Sequence, residues 1–250
     1  MKKINTGDLK ILMYDLETSP NLSWVWGKWQ QDVIAFEKES HILAFSYKWL
    51  GESKVYGFGL PDFPRYKKNK EDDLDLVKKL HEVMCEADII IAHNGFDFDF
   101  KVANTAFVRN GLKPATPSKM VDTKRIAKNN FRFNSNSLND LGTRLGIGQK
   151  TETGGFKLWK GCLEGDTKSW SKMVRYNKND VVLLEKVYLK LRPWATNHPI
   201  THIGNIGCSV CGGKEMEQRG WAYLNSGKTK KKRMVCKSCG HWNLGNAEKN

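Results

Sequence analysis

The segment Leu9-Lys10-Ile11-Leu12-Met13-Tyr14-Asp15-Leu16-Glu17-Thr18 constrains the fold more than any other stretch of the chain. Its apolar residues are consecutive rather than alternate, so a strand built from it needs cover on both faces. A strand covered on both faces belongs in the middle of a sheet with helices packed on either side. Pro20 and Asn21 break it. Just before that break stand Asp15 and Glu17, two residues apart and therefore on one face of the strand. Neighbouring carboxylates repel unless a cation lies between them. A divalent ion does this well, and Mg²⁺ is typically held by one or two carboxylates. Taken alone, Asp-x-Glu at a strand end is more often a solvated pair.

The rest of the chain supplies the sheet's neighbours. His41 to Trp49 and Ser53 to Gly59 read as strands joined by a turn at Gly51-Glu52. Asp72 to Cys85 has helical periodicity through Leu74, Val77, Leu80, Val83 and Met84. Asp88 to Ala92 is a short buried strand. A helix follows from about Asp97 to Arg109, ended by Asn110-Gly111. Met120-Val121-Asp122 reads as the last strand. Ser137 caps another helix, which closes near Gly146. Lys150 to Glu164, rich in Gly, Thr and Lys, reads as a long loop. A long helix spans about Thr167 to Leu191 and stops at Pro193. This order predicts an α/β fold, a mixed sheet flanked by helices.

Two further acidic segments bear on Asp15 and Glu17. In Asn94-Gly95-Phe96-Asp97-Phe98-Asp99, an acid falls in the first turn of the predicted helix, at the favourable end of its dipole. Asp97 is expected to cap that helix, leaving Asp99 free for a cation, with Asp97 as its rival. Tyr176 and Asp180 are four apart on the long helix, on the face continued by Leu184, Val187 and Leu191. A buried aspartate needs a partner, either a cation shared with Asp15 or a nearby Lys or Arg. Asp122 is expected to cap a helix, His93 to be a satisfied core histidine and Asp140 to be structural. Lys101 and Asn104 are open between a solvated role and substrate contact. Trp24, Trp26 and Trp29 are open between core packing and stacking on bases.

Taken together, Tyr14-Asp15-Leu16-Glu17-Thr18, Asn94-x-x-Asp97-Phe98-Asp99 and Tyr176-x-x-x-Asp180 resemble the three motifs of the DEDD 3′→5′ exonuclease superfamily. The third has its tyrosine form, as in the proofreading domains of A- and B-family DNA polymerases. The motifs run in order over roughly residues 9 to 191. The chain as a whole is similar to small stand-alone exonuclease-like proteins encoded by phages, a likeness that includes Gly154-Gly155-Phe156-Lys157-Leu158-Trp159. The resemblance implies a ribonuclease-H-like fold. It also implies that Asp15, Glu17, Asp99 and Asp180 hold two divalent ions, Mg²⁺ or Mn²⁺, about 4 Å apart, while Tyr176 orients water. The substrate implied is the 3′ end of single-stranded nucleic acid, with DNA preferred to RNA.

The C-terminal segment carries Cys208-x-x-Cys211 and Cys236-x-x-Cys239. Gly212 and Gly240 follow the second cysteine of each pair and permit a tight turn. Four thiolates so spaced predict one structural Zn²⁺ in a zinc ribbon, with a β-hairpin between the pairs. About fifty residues cannot bury enough core alone, so the metal holds such a module together. The expected partition is therefore residues 1–195 as the ribonuclease-H-like domain, 196–207 as a linker and 208–250 as the ribbon. Cys85 is expected within a helix, and Cys162 has no assigned role.

Charge points the same way. The chain of 250 residues carries a formal net charge of +14, which suits a polyanionic partner. Residues 201–250 hold nine Lys and Arg against three Glu. Lys228, Lys230, Lys231, Lys232 and Arg233 are the candidate nucleic-acid contacts, while Trp221 and Trp242 are expected in the ribbon's small core. No stretch has the length of apolar residues a membrane span needs, and Met1 to Asn5 has no apolar run behind it, so a cytoplasmic protein with reduced thiols is expected. Two alternatives remain at this level: an idle nuclease fold that binds nucleic acid or a replication or repair protein, and an endonuclease using the same metals.

Overall fold

The computed structural model describes residues 9–29, 32–199, 201, 207–224, 227 and 229–249. In chain order these form β1 (Ile11–Thr18), β2 (Leu22–Trp24), β3 (Ala35–Lys38), β4 (Ile42–Trp49), β5 (Tyr56–Gly59), α1 (Leu74–Cys85), β6 (Ile89–Ala92), α2 (Asp99–Arg109), β7 (Lys119–Asp122), α3 (Thr123–Asn130), α4 (Leu138–Arg144), α5 (Phe156–Glu164), α6 (Thr167–Leu191), β8 (Met216–Leu224), β9 (Thr229–Cys236) and β10 (Trp242–Lys249).

The main sheet has the order β5-β4-β1-β6-β7. β1 is its central strand, antiparallel to β4 and parallel to β6. Its alternate side chains enter two cores. Leu12, Tyr14 and Leu16 pack with α1 and α2. Ile11 and Met13 pack with α3, α4 and the C-terminal half of α6. Asp15 and Glu17 continue the second set by the period of two, so they face α6. That helix is fixed to the sheet by a buried ion pair between Lys48 of β4 and Glu185. Its N-terminus is capped by Asp166, which accepts from the Lys168 and Ser169 backbone N–H groups. Pro193 closes it in a short 3₁₀ turn. None of the described helices is long and apolar enough to cross a membrane.

Three parts of the backbone differ from expectation. Lys150 to Glu164 is not all loop, because its second half is α5. Gly154 (φ +83°) and Gly155 (φ +68°) take the left-handed turn that admits this helix. The helix after residue 93 begins at Asp99 with Phe98 at its N-cap, so Asp97 does not cap it. Asn94 adopts φ +67°, and the tight turn there delays the helix. Pro20 and Asn21 end β1 as expected, but a separate hairpin of β2 and β3 follows before β4.

The remaining sheet, β10-β9-β8, is antiparallel and belongs to the cysteine segment. Its small core is Cys208, Val210, Cys211 and Cys236, with Met216 and Cys239 against it. Trp221 and Trp242 are not part of that core. Trp242 is exposed, and Trp221 lies under the side chains of Lys230 and Lys232, whose ammonium groups are 4.7 and 5.8 Å from its ring centre. Two ammonium groups within cation–π range of one ring favour keeping that ring at the surface.

Candidate active site

Asp15 and Glu17 lie at the end of β1, where α6 crosses it. Carboxylate oxygens of Asp15, Glu17 and Asp180 all lie within 4.8 Å of one another. Asp180 is fully buried. Asp99, in the first turn of α2, is also buried but stands outside that 4.8 Å group. It is close enough for its charge to act on Asp15 and Glu17. Asp97 is exposed and pairs with Arg125 at 3.4 Å, so the structure sets Asp99 and not Asp97 beside the other acids.

Burial governs the protonation of this group. It pushes Glu17 up to about 7, with Lys150 opposing and Asp180 and Asp99 adding. It pushes Asp99 up to about 7 as well, opposed by the backbone N–H groups of Asp99 and Leu16. Asp15 is raised well above the carboxylate range by burial and by the charges of Asp99, Glu17 and Asp180. Asp180 is raised by burial, with Lys150 opposing. Four carboxylates that resist ionising together are what a multi-acid cluster gives without a strong cation.

Two residues that sequence reasoning did not assign to the site complete it. Lys150 donates from Nζ to Asp180 Oδ2 at 2.7 Å and to the Tyr176 hydroxyl at 3.1 Å. Burial lowers its basicity, but Asp180 and Asp15 outweigh that and hold the ammonium charged. The anticipated alternative for Asp180, an ion pair with a lysine, is therefore present. Asn177, fully buried, donates from Nδ2 to Asp15 Oδ2 at 2.7 Å. A lysine in a glycine-rich segment carries no sequence signal for such a role. Asn177 had one, since it stands three residues before Asp180 on the same helix and so shares its face.

The supports are equally local. Tyr176 is buried, and its ring meets Trp159 of α5 edge-on at 6.4 Å. Trp159 in turn donates from Nε1 to the Thr18 carbonyl at 3.1 Å. The segment Gly154–Trp159 thus braces Tyr176 against the end of β1. Asp122 caps α3 through the Lys124 and Arg125 N–H groups and also accepts from Asn94 N at 3.0 Å. It therefore ties α3 to the turn that leads into Asp99. His93 is satisfied by Thr123 Oγ1 at 2.8 Å and the Asn136 carbonyl at 3.0 Å, and burial lowers it to about 4. Asp140 takes the Ser137 hydroxyl at 2.8 Å in the cap of α4. Lys101, Asn104, Trp24, Trp26 and Trp29 are all exposed, so the tryptophans are not core residues.

The residues fit divalent ions. Asp180 Oδ1 is buried with no hydrogen-bond partner among the described residues, and an unpaired buried acceptor is costly. An all-oxygen donor set suits Mg²⁺ or Mn²⁺.

The four cysteines also converge. Their sulfurs lie within 4.8 Å of one another, with Cys208–Cys239 and Cys211–Cys236 each at 3.6 Å. A disulfide would be about 2.05 Å, whereas thiolates around tetrahedral zinc at about 2.3 Å stand about 3.8 Å apart. The two knuckles are built alike. Gly212 N donates to the Cys208 carbonyl and Gly240 N to the Cys236 carbonyl, each at 2.8 Å, with φ of +68° and +84°. On β9, Lys230 and Lys232 point to one face and Lys231 and Arg233 to the other, by strand alternation. Lys228 lies outside the described residues.

A five-stranded mixed sheet flanked by helices, with acids gathered at the end of its central strand, defines a ribonuclease-H-like protein. Residues 37–192, more than half of the chain, match the RNase_H_2 family of the RNase_H superfamily, and the chain belongs to that superfamily. Among solved structures, the chain is similar in fold to the family B DNA polymerase from the hyperthermophilic archaeon Pyrobaculum calidifontis. The TM-score is 0.50 and the identity 15%, over 75% of this chain and 25% of the polymerase. The chain thus spans about a quarter of that polymerase's length. Comparison with curated proteins gave no match.

Proposed function

We propose that this chain is a metal-dependent 3′→5′ exonuclease acting on single-stranded nucleic acid, with DNA as the polymer. The observation that carries this reading is the convergence of Asp15, Glu17 and Asp180 within 4.8 Å, with Asp99 buried beside them. The fold likeness to a DNA polymerase and the motif resemblance to polymerase proofreading domains both favour DNA.

In this reading Asp15, Glu17, Asp99 and Asp180 hold two Mg²⁺ or Mn²⁺ ions. Such ions supply a lowered water pKa and positive charge beside the leaving 3′-oxygen. Asn177 fixes the Asp15 carboxylate by its hydrogen bond. Tyr176, with its hydroxyl at the edge of the cluster and its ring held by Trp159, positions the attacking water. Lys150 offers its ammonium to Asp180 and, once the carboxylates are neutralised, to a substrate phosphate.

The chain divides in this reading into residues 1–195, which carry the chemistry, a linker over 196–207, and a zinc ribbon over 208–250. One Zn²⁺ on Cys208, Cys211, Cys236 and Cys239 is structural, because a closed four-thiolate site has no open position. The basic residues Lys230, Lys231, Lys232 and Arg233, together with Lys228, give the ribbon its affinity for nucleic acid, and a replication or repair protein is its alternative partner.

The test is a time course on a 5′-labelled single-stranded DNA oligonucleotide with Mg²⁺, with Mn²⁺ and with EDTA. A ladder shortening from the 3′ end, dependent on metal and absent in Asp15→Ala and Asp180→Ala, is the expected result. Internal cuts would move the assignment to an endonuclease. No cleavage with a salt-sensitive gel shift would leave a binding protein.

A further inference from the structure

The hairpin of β2 and β3 is fixed at its feet, and its described residues beyond them are largely bare. Ser40 N donates to Asn21 Oδ1 at 2.7 Å, and the Ser40 hydroxyl to the Ser19 carbonyl at 2.7 Å. Ser19 N donates to the His41 carbonyl at 2.9 Å, and Lys38 pairs with Glu71. Beyond these staples Trp24, Trp26 and Trp29 are 63%, 89% and 76% exposed, and Val25, Val33, Ile34 and Phe36 are exposed as well. Trp24 pairs with Ala35, and Phe36 pairs with Ser23. Directly paired residues share a face, and successive pairs alternate, so Trp24 and Phe36 project from opposite faces. A two-stranded hairpin is marginal alone in water, and an apolar surface this dense marks a binding site.

Its position and charge select the occupant. The hairpin leaves β1 only a few residues after Glu17. A cavity of about 190 Å³, walled largely by apolar side chains such as Ile42, Val102 and Ala106 and edged by Lys101 and Arg109, lies at its foot. Lys101, two residues beyond Asp99, is exposed, and Arg109 is paired with Asp73. Between Trp24 and Phe36 there is one lysine and one aspartate, so the hairpin attracts by its rings rather than by net charge. Carboxylates, the exposed Lys101 and an aromatic blade thus follow one another from β1 outward. A single strand of nucleic acid offers a phosphate and an unstacked base at every step and matches that series. A duplex keeps its base faces in the stack, and a flat protein partner would cover one face of the blade and leave the other wet.

We propose that the Leu22–Lys38 hairpin is a base-stacking finger that holds the unpaired nucleotides behind the reacting 3′ end. The proposal rests on the nuclease reading of the carboxylate site. The test uses full-length protein and the variant Trp24→Ala/Trp26→Ala/Trp29→Ala, whose exposed positions leave the core untouched. Anisotropy of a fluorescein-labelled oligothymidylate in EDTA reads binding without chemistry. Hydrolysis of the p-nitrophenyl ester of thymidine 5′-monophosphate in Mn²⁺ reads the carboxylate site on a single nucleotide with no strand behind it. The expected result is a Kd for the oligomer raised at least about tenfold, within the range for loss of stacked rings. The loss of kcat/KM on the oligomer should be at least about ten times the loss on the ester. A Kd within about twofold of the parent overturns the finger, and so does an equal loss on both substrates. If the triple variant turns a dimer into a monomer while oligomer binding is unchanged, the blade belongs to a second copy and the proposal fails. Absence of hydrolysis of either substrate by the parent removes the nuclease reading, and the anisotropy alone then decides the finger.

Discussion

Glu17→Gln separates the stability of this site from its function. Burial raises the Glu17 carboxyl from its ordinary 4.5 to about 7. The folded chain therefore binds a proton more tightly than the unfolded one. Its contribution to stability is full below about pH 4.5, falls as pH rises, and is lost above about pH 7. At 1.36 kcal/mol per pH unit the difference is about 3 kcal/mol, and partial solvent contact reduces it to about 2 kcal/mol. Glutamine keeps the shape without the charge. In EDTA at pH 8 the variant should therefore be more stable than the parent by about 2 kcal/mol, which is about 4–8 °C in Tm for a chain of this size. At pH 4.5 the two should melt together. Thermal melts at the two pH values read this directly, and cleavage assays should show the same variant nearly inactive. Equal or lower stability at pH 8, or the same offset at both pH values, would refute the electrostatic account of the cluster.

The other predictions follow from the same geometry. Mg²⁺ or Mn²⁺ at about a hundred times its Kd should add about 2.7 kcal/mol to the parent, seen as a rise in Tm that Asp180→Ala lacks. Tyr176→Phe should slow cleavage while keeping the metal-induced rise in Tm; an unchanged rate would remove its role in positioning water. Removal of zinc with a chelator, followed by limited proteolysis, should open residues 208–249 and leave a folded fragment ending near residue 195. Global unfolding would mean that the two parts stand or fall together. Lys231→Glu and Arg233→Glu, if they remove phosphate contacts, should each lower the salt slope of DNA binding by about one.

The sheet was legible because its strands obey simple periods. β1 reads as central from its apolar run, and α6 reads as one long helix whose buried face runs through Tyr176, Asp180, Leu184, Val187 and Leu191. What escaped notice lacked such a pattern. α5 buries only Leu158 and Cys162, too few to stand out behind two glycines. α3 is signalled only by its cap Asp122, and its extent has no period to show it, because it buries just Thr123, Ile126 and Ala127 in an otherwise polar octet. The β2–β3 hairpin buries neither face, so no alternation marks it. Asp97 looked like a cap because the acid sits where a helix following β6 would start. The left-handed Asn94, held by Asp122 from another strand, moved that start by two residues, and a contact between elements 28 residues apart leaves no trace in a local window.

The site residues themselves show the same division. That Asp15 and Glu17 share a face of β1 and Asp180 lies on the buried face of α6 was legible because spacing on a strand or helix fixes direction; their grouping was suggested only by the three motifs together. Lys150 could not, because what makes it part of the site is a charge it meets only after folding. Once there it is, among the described residues, the one ammonium bonded to a cluster of four carboxylates, and that imbalance is informative. One positive charge holds Asp180 but leaves Glu17 and Asp99 raised by burial to about 7. A cluster built only for stability would replace its surplus acids with amides, since neutral groups of the same shape avoid the repulsion. Retaining all four makes sense where more positive charge arrives than the chain supplies. Two divalent ions would reverse the balance, release Lys150 from Asp180 and leave its ammonium facing the position a phosphate would take. The instability of the metal-free site and its capacity for phosphodiester chemistry are then two consequences of one charge distribution.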